Sequence, residues 1–250
     1  MIAELDSTGN RLQSDNDRAE QLLRLHNIHR TVVVFGSSRT PELSVAQVRL
    51  AVAEDQCRIN NDSEEWQKKK HAAQKTVELS KYYEMARGLG QRIGRRWDTH
   101  GWVTMTGGGG GIMEAINRGA SDVGAPTIGL NITLPSEQKP NRYITPELKI
   151  NFEFFAIRKL HFHKRAIAFV AFPGGFGTFD ELFGVLTLIQ TGKVPSVPVI
   201  LVKQAFWEAA FHGQSLVEAQ TIDSKDLSLF TYAESDQEVE QILLQRCGVK

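Results

Sequence analysis

The stretch IAFVAFPGGFGTFDELF, residues 167–183, decides the fold, because it has the pattern of a strand, a glycine-rich turn and a helix. The strand is the apolar run Ile167–Phe172, and Pro173 ends it. Three glycines then shape the turn: Gly174, Gly175 and Gly177. Thr178 is placed to cap a helix that begins at Phe179. Backbone N–H groups of such a turn, together with the helix N-terminus, bind anions, so the stretch predicts a phosphate site.

Strand signals and helix signals alternate on both sides of this stretch. Thr31 opens the apolar run TVVVF, which GSSR follows at residues 36–39. Further strands are predicted at Trp102–Met105, Thr127–Ile132, Leu148–Phe152, Val197–Val202 and Leu227–Tyr232. Helices are predicted within 41–100 and at Ile112–Asp122, Phe154–Ala166, Phe179–Gln190, Phe206–Ala219 and Asp236–Arg246. The alternation predicts one α/β domain over residues 31–250: a doubly wound parallel sheet, flanked by helices, with ligands at the carboxyl ends of its strands.

Two polar stretches are predicted to lie outside the core. Residues 1–30 form a polar N-terminal arm with a short helix at Arg18–His26. NNDSEEWQKKK at residues 60–70 forms a solvated connection, because its charges leave it nothing to bury.

The composition excludes several classes of protein. Lys plus Arg and Asp plus Glu number 29 each, so the formal net charge is +0, and neither nucleic acid nor a membrane is an expected partner. Cys57 and Cys247 form no disulfide or metal-ligand pattern, and the N-terminus has no secretory signal. We therefore expect a cytoplasmic protein that binds a small molecule or another protein.

A second glycine-rich loop, TGGGGGIMEAINRGA at residues 106–120, follows a predicted strand. Its glycines can gather backbone N–H groups around an anion at the start of the next helix: Gly107, Gly108, Gly109, Gly110 and Gly111. The loop lacks the Lys-Ser or Lys-Thr of a Walker A motif, and Ile112 or Met113 stands where GxGxxG needs its third glycine. The pattern favours a mononucleotide phosphate over a dinucleotide, and a mobile turn is the alternative.

Two further segments are candidates for the same edge of the sheet. Ser37 and Arg39 belong to GSSR, which is either a binding loop or a plain connection. In IRKLHFHKR, residues 157–165, Arg158 and Lys159 could reach a phosphate or ribose, although adjacent helical side chains do not face the same way. The histidines of this segment also point to different sides, with no acid or cysteine nearby, so no metal site is predicted.

Together these motifs resemble those of the LOG ("lonely guy") family, formerly described as possible lysine decarboxylases. PGGFGTFDE at residues 173–181 fits the family signature PGGxGTxxE without a gap. Arg158 and Lys159 match its RK pair, the glycine run with Met113 matches GGGxxGxM, and GSSR matches the opening motif. The resemblance extends from about residue 31 to residue 202.

The chain departs from the family pattern in two ways. Glu114 stands where shorter, plant-like members usually have glycine. Residues 1–30 and 41–80 are longer than in those compact proteins. Both departures indicate a larger bacterial subgroup.

The resemblance implies a Rossmann-like fold, no metal and no cofactor. The implied reaction is hydrolysis of a nucleoside 5′-monophosphate, AMP or a cytokinin riboside 5′-monophosphate, to free base and ribose 5-phosphate. Arg158 and Glu181 are implied as the catalytic pair. Residues implied in binding the substrate and its phosphate are Ser37, Arg39, Gly108, Gly109, Gly110, Gly111, Met113, Lys159, Gly174, Gly175, Gly177 and Thr178. The family also implies a homo-oligomer, for which Phe152, Phe154 and Phe155 form either an apolar contact face or part of the core.

One alternative function stays open. A non-catalytic mononucleotide-binding or carrier protein would use the same glycine turns, although it would not need both Arg158 and Glu181. A pyridoxal-phosphate decarboxylase is disfavoured, because Lys159 is the only lysine near the predicted site and nothing around it resembles a Schiff-base motif.

Overall fold

The computed structural model of the chain describes residues 2–60, 63–133 and 139–248, with side chains from residue 7 onward. The strands in these ranges are β1 Arg30–Phe35, β2 Trp102–Thr106, β3 Thr127–Ile132, β4 Lys149–Phe152, β5 Ala166–Ala171, β6 Val199–Val202 and β7 Thr231–Ala233. The α-helices are α1 Ile2–Leu25, α2 Leu43–Ile59, α3 Glu64–Gly94, α4 Trp97–His100, α5 Ile112–Asp122, α6 Phe155–Lys164, α7 Phe176–Gln190, α8 Gln204–Ala210, α9 Gly213–Glu218 and α10 Asp236–Cys247. Short 3₁₀ helices span Pro146–Leu148 and Ser224–Leu229.

The strands form one parallel sheet in the order β4-β3-β2-β1-β5-β6-β7. The chain enters at the middle with β1, builds outward to β4, and then returns to the other side of β1 with β5. The predicted doubly wound α/β domain is confirmed. The direction of winding reverses between β1 and β5, and in such sheets this switch point opens a crevice at the carboxyl ends of the strands.

Both faces of the sheet are covered, because successive strand residues point to opposite sides. Val33 and Phe35 of β1 pack in one apolar cluster with residues of α1, α6 and α7. Val32 and Val34 pack in the other with residues of α3, α5 and α10. A strand buried in this way has no polar alternation, which explains why the continuous run TVVVF predicted β1 correctly.

The sequence predicted that the N-terminal segment lies outside the core, and the structure shows that part of it packs against the core. It forms the long helix α1, whose Ala19 and Leu23 are fully buried against the sheet. These two apolar residues, four positions apart, form a hydrophobic stripe too narrow to be recognised in an otherwise polar sequence. Asp15 of α1 also accepts hydrogen bonds from the backbone N–H groups of Glu153 and Phe154, 2.7 and 3.1 Å long, just before α6.

Other boundaries differ from the prediction for local reasons. The charged stretch 60–70 is exposed but largely helical, since α3 begins at Glu64 and its lysines pair with glutamates one turn away; Asn61 and Asp62 lie outside the described residues. The single helix predicted at Phe206–Ala219 is broken at Phe211, where the backbone is extended. The last strand starts at Thr231, because Ser224–Leu229 is a 3₁₀ helix. Helix α5 and strand β3 have the predicted bounds.

Helices α3 and α5 approach each other at glycines. A Cβ atom added to Gly119 of α5 would lie 2.0 Å from the carbonyl oxygen of Arg87 in α3. A Cβ atom added to Gly90 of α3 would lie 2.3 Å from the carbonyl oxygen of Ile116. The two helices are therefore in backbone contact. Among the described residues, no helix combines the length and apolar character needed to cross a membrane.

Candidate functional site

A cavity of about 1020 Å³ opens at the carboxyl ends of β1, β2 and β5, at the switch point of the sheet. Its volume is at the upper end of the range for small-molecule sites. Residues from β1, from three loops and from helices α5, α6, α7 and α8 line it: Phe35, Gly36, Ser37, Ser38, Arg39, Gly107, Met113, Arg158, Phe162, Gly174, Gly175, Phe176, Gly177, Thr178, Phe179, Glu181, Phe206 and Ala210. The cavity thus lies at the carboxyl ends of the strands, the edge of the sheet where the sequence predicts that a ligand binds.

The loop after β1 joins the other two loops through its backbone. The N–H of Ser37 donates to the carbonyl of Pro173, at 3.1 Å, and the carbonyl of Ser37 accepts from the N–H of Ile112, at 2.9 Å. The Oγ of Ser37 accepts from the N–H of Arg39, at 3.1 Å. These bonds hold Ser37 and Arg39 at the cavity wall, and their part in binding stays a prediction.

The glycine run after β2 contributes less to the cavity than its length suggests. Gly107 and Met113 line the cavity. The remaining glycines of the run do not: Gly108, Gly109, Gly110 and Gly111. Gly108 and Gly111 have positive φ angles of 73° and 66°. Their phosphate contact stays a prediction.

Close packing explains why this run needs glycine. A Cβ atom on Gly111 would lie 2.2 Å from the carbonyl oxygen of Ser37. Asn141 is buried, and its Nδ2 donates to the carbonyls of Gly108 and Gly109, at 3.2 and 2.9 Å. The glycine run therefore packs against the loop after β1, and Asn141 provides hydrogen bonds to the carbonyls of the run. Sequence reasoning missed Asn141, because it follows the run by thirty residues with no local motif.

The turn after β5 lines the cavity with all of its predicted residues: Gly174, Gly175, Gly177 and Thr178. Helix α7 nevertheless begins at Phe176, and its N-cap is Gly175 with no side-chain cap, so the prediction that Thr178 caps the helix is wrong. The turn therefore ends at Gly175, and Gly177 belongs to the first turn of α7. A Cβ atom on Gly174 would lie 2.1 Å from the Oγ1 of Thr178, so the absence of a side chain makes room for this hydroxyl.

Three charged side chains from α6 and α7 meet beside this turn. Nη2 of Arg158 lies 3.4 Å from Oε1 of Glu181, and Nζ of Lys159 lies 3.1 Å from Oε2 of the same carboxylate. The two adjacent basic side chains thus reach one carboxylate, contrary to the expectation from helical spacing, because each approaches a different oxygen. Arg158 and Glu181 line the cavity, and Lys159 does not.

Burial sets the electrostatics of this group. Burial raises the pKa of the Glu181 carboxyl, and Lys159 and Arg158 oppose the rise. Burial also lowers the pKa of Arg158, although a guanidinium remains charged. The Arg158 guanidinium lies over the rings of Phe155 and Phe162, 5.0 and 5.7 Å from their centroids, which provides a favourable surface for a partly desolvated cation.

The histidines of α6 pack against aromatic rings of the core. His161 is fully buried and packs against the ring of Phe152, with 5.4 Å between centroids. Burial lowers the pKa of His161 to about 4 and lowers that of His163 as well. Phe152 is also buried, so it belongs to the core, and only Phe155 of the predicted apolar face is well exposed. In the parts of the chain that the structure describes, no three His, Cys, Asp or Glu side chains cluster as a metal site.

Sequence reasoning missed several apolar residues of the cavity wall. Phe206 and Ala210 of α8 line the cavity, and so does Phe176, with 96% of its surface exposed. Helix α8 follows β6, so its start lies at the same sheet edge as the three loops. No local motif marks α8 as part of the cavity. Its position directly after a parallel strand was the signal that could have placed its start at this edge of the sheet.

The fold and the cavity define a class of protein: a doubly wound α/β protein with a polar cleft, built from glycine-containing turns, at the switch point of its sheet. The family described as "Possible lysine decarboxylase" matches residues 113–243, more than half of the chain. The chain belongs to this family, the LOG family that its motifs resemble.

Several known proteins are similar to this chain. The cytokinin riboside 5′-monophosphate phosphoribohydrolase LOG2 of Arabidopsis thaliana is 37% identical over 89 residues, which are 34% of this chain and 40% of that protein. LOG3 of the same plant, with the same described activity, is 32% identical over 117 residues, which are 45% of this chain and 51% of that protein. The matched region thus spans about half of these relatives or less.

Two solved structures are similar to the chain to different degrees. The X-ray structure of TM1055, a structural genomics target, is 22% identical with a TM-score of 0.52, and covers 86% of this chain and 99% of that one. This likeness shows the fold alone. The molybdenum cofactor carrier protein of Chlamydomonas reinhardtii is 20% identical with a TM-score of 0.44, and covers 86% of this chain and 98% of that one.

Proposed function

We propose that this protein hydrolyses the N-glycosidic bond of a nucleoside 5′-monophosphate, releasing the free base and ribose 5-phosphate. One observation carries the proposal: Arg158 and Glu181, from two helices, meet at the wall of a cavity that glycine-containing turns surround. Membership of the LOG family and the described activity of the Arabidopsis relatives support it.

In this proposal the 5′-phosphate binds beside the turn after β5 and the loop after β1. Backbone N–H groups at the start of α7 and the side chains of Ser37 and Arg39 supply donors there. The N-terminus of α7 adds partial positive charge. Local donors and a helix end suffice for a small anion, which is consistent with a net charge of +0.

Glu181 is the group that the reaction needs beside the sugar. Breaking the bond between C1′ and the base nitrogen builds positive charge on the ribose ring, and a fixed carboxylate stabilises that charge more in the transition state than in the ground state. Water supplies a hydroxyl to C1′ and a proton to the departing base. In the proposal Glu181 also orients this water, as carboxylates do in glycoside hydrolysis.

The apolar residues in the cavity wall are suited to the base. Phe206 and Ala210 of α8 belong to the wall, as does Phe176 at the start of α7. A purine ring packs on such residues, and an apolar substituent on the base would add contact area. AMP and cytokinin riboside 5′-monophosphates are therefore the substrates we propose. From the family resemblance and the composition we also propose that the protein is a homo-oligomer and cytoplasmic.

Chromatography of reaction mixtures tests the proposal. The purified protein is incubated with AMP, isopentenyladenosine monophosphate and the other common nucleoside monophosphates. We expect a free-base peak from at least one purine monophosphate. Glu181→Gln should lower the rate at least about 100-fold, as loss of a charge-stabilising group does in other enzymes.

Two further measurements complete this experiment. Glu147→Gln, which makes the same change at an exposed residue away from the cavity lining, should keep the wild-type rate. Intact nucleotides throughout the panel would overturn the proposal. If calorimetry then showed tight binding of a monophosphate without turnover, the protein would be a mononucleotide-binding or carrier protein.

A further inference from the structure

Lys159 lies beside the cavity and not in its wall. Its Nζ contacts three oxygens: Oδ2 of Asp180 at 2.7 Å, the backbone carbonyl of Asp180 at 3.2 Å, and Oε2 of Glu181 at 3.1 Å. The contacts with the Asp180 carbonyl and with Glu181 are hydrogen bonds, and the Asp180 carboxylate is an ion-pair partner. These partners hold the ammonium group against Glu181 and outside the cavity wall, where the sequence motif implies that it binds phosphate.

Arg158 has the opposite character. Its contact with Glu181 is a long one, at 3.4 Å, and engages one of its two terminal nitrogens. Its Nε is buried with no hydrogen-bond partner among the described residues. Its Nη1 lies 4.0 Å from the place of a Cβ atom on Gly107, which lines the cavity. A guanidinium has five N–H donors, so most of those on Arg158 remain available to a ligand.

We propose that Lys159 is a positioning residue that holds Glu181 ionised and fixed in place, so that Arg158 remains free to bind the substrate. This inference rests on the proposed function, because it concerns the carboxylate that the reaction uses. It separates the roles of two adjacent basic residues that the sequence motif treats as a pair.

The charges around Glu181 show why a counter-ion is needed. The carboxylate is 6% exposed, and burial favours its neutral form. Lys159 and Arg158 of α6 oppose this effect, with Lys159 the stronger, while Asp180 of α7 adds to it. Arg39 is the remaining charged residue in the cavity wall. Without Lys159, burial and Asp180 act against Arg158 alone, and Glu181 takes up a proton at a higher pH.

Kinetics across the pH range test the role of Lys159. For Lys159→Met we expect the acid limb of kcat/KM to move up by about 1 pH unit or more, the size that a close opposite charge produces. At neutral pH kcat should fall, while KM and inhibition by ribose 5-phosphate stay near the wild-type values. Lys159→Arg keeps the charge and should restore most of the wild-type profile.

Lys164→Met is the matched control. It removes the same charge from the same helix, at a residue that pairs with Glu20 instead of Glu181, and should leave the pH profile unchanged. A Lys159→Met enzyme with a raised KM, weaker inhibition by ribose 5-phosphate and an unmoved acid limb would overturn the inference, because Lys159 would then bind phosphate.

A second readout does not depend on activity. Carbon-13 NMR follows the Glu181 carboxyl through a pH titration, with its signal assigned by its loss in Glu181→Gln. Lys159→Met should raise the pKa of this carboxyl. If the wild type cleaves no nucleotide and the NMR shift occurs, the proposed function fails and the electrostatic role of Lys159 holds. An unshifted carboxyl overturns the inference in either case.

Discussion

Individual residues give the cavity wall both charged and aromatic groups: Arg158 and Glu181 among the former, Phe206 of α8 among the latter. In the proposed function the phosphate and ribose contact the charged groups and the base contacts the aromatic ones. Substitutions in the two sets should therefore affect different parts of substrate binding, a division that Phe206 can test.

Replacement of Phe206 tests this division. Phe206→Ala should raise KM for the nucleotide substrate about 3- to 10-fold, because an aromatic contact contributes roughly 0.5–1.5 kcal/mol beyond the area it buries. Inhibition by ribose 5-phosphate, which has no base, should not change. Phe183→Ala is the control, since Phe183 belongs to the neighbouring aromatic cluster without lining the cavity. Equal weakening of both ligands by Phe206→Ala would contradict the division.

At the scale of elements, the contact between α3 and α5 determines where the glycine run stands. Helix α5 begins directly after Gly111, and its backbone touches α3 at Gly119. A shift of α5 would therefore move Gly107 and Met113 in the cavity wall. Helix propensity alone disfavours Gly119, so its presence reflects this close approach.

Gly119→Ala should lower the free energy of unfolding by at least about 1–3 kcal/mol, the range for overpacking, because backbone atoms cannot move aside as a side chain can. In thermal denaturation this corresponds to a fall in Tm of roughly 3–10 °C. Gly9→Ala in α1 makes the same change in a helix with nothing within 4 Å of the new Cβ atom. It should be neutral or stabilise by up to about 1 kcal/mol. A stable Gly119→Ala protein would show that the two helices can separate.

At the scale of the whole molecule, a partly buried polar cluster joins α1 to α6 and its C-cap. Glu20 of α1 lies 2.9 Å from Arg165 and 2.8 Å from Lys164, and these partners lower the pKa of Glu20 to about 2. His161 lies in the same contact, 3.8 Å from Glu20, and both of its ring nitrogens lack a hydrogen-bond partner among the described residues. This cluster makes the stability of the fold depend on pH.

The two groups act in different pH ranges. In the unfolded chain His161 is protonated below about 6.5, whereas burial in the fold lowers its pKa to about 4, so stability is full above 6.5 and falls as the pH drops from 6.5 to 4. Glu20 contributes stability above about 4.5 that is lost as the pH drops towards 2. A difference of about 2.5 in the pKa of His161 corresponds to roughly 3 kcal/mol.

His161→Leu should make the free energy of unfolding depend less on pH in the range from 6.5 to 4. Chemical denaturation at a series of pH values should show a smaller loss of stability between pH 6.5 and 4 than in the wild type, with the loss below 4.5 retained. Stability at pH 7 should be equal or higher, because the substitution removes buried nitrogens without partners. His71→Leu, at an exposed position of α3, is the control. An unchanged slope between pH 6.5 and 4 for His161→Leu would contradict the assignment.

The sequence predicted those parts of the molecule that have a local signal. Strand β1 follows from a continuous apolar run, and the turn after β5 follows from Pro173 and its glycines. Helix α1 was misplaced because, among its described side chains, Ala19 and Leu23 are the only fully buried apolar ones. Phe206 and Asn141 were missed because their positions depend on strand order and on a distant loop. Long-range packing, which no local pattern encodes, accounts for each of these differences.

The hydrogen bond from the N–H of Ser37 to the carbonyl of Pro173 has a consequence for the order in which the chain acquires its binding cleft. Ser37 is synthesised early, and its partner emerges only after β2, β3, β4 and α6. Until β5 has paired with β1, the loop after β1 lacks the opposite wall of the cleft. We therefore expect the proposed nucleotide to bind, and to stabilise the chain, only after the central pair of strands has closed.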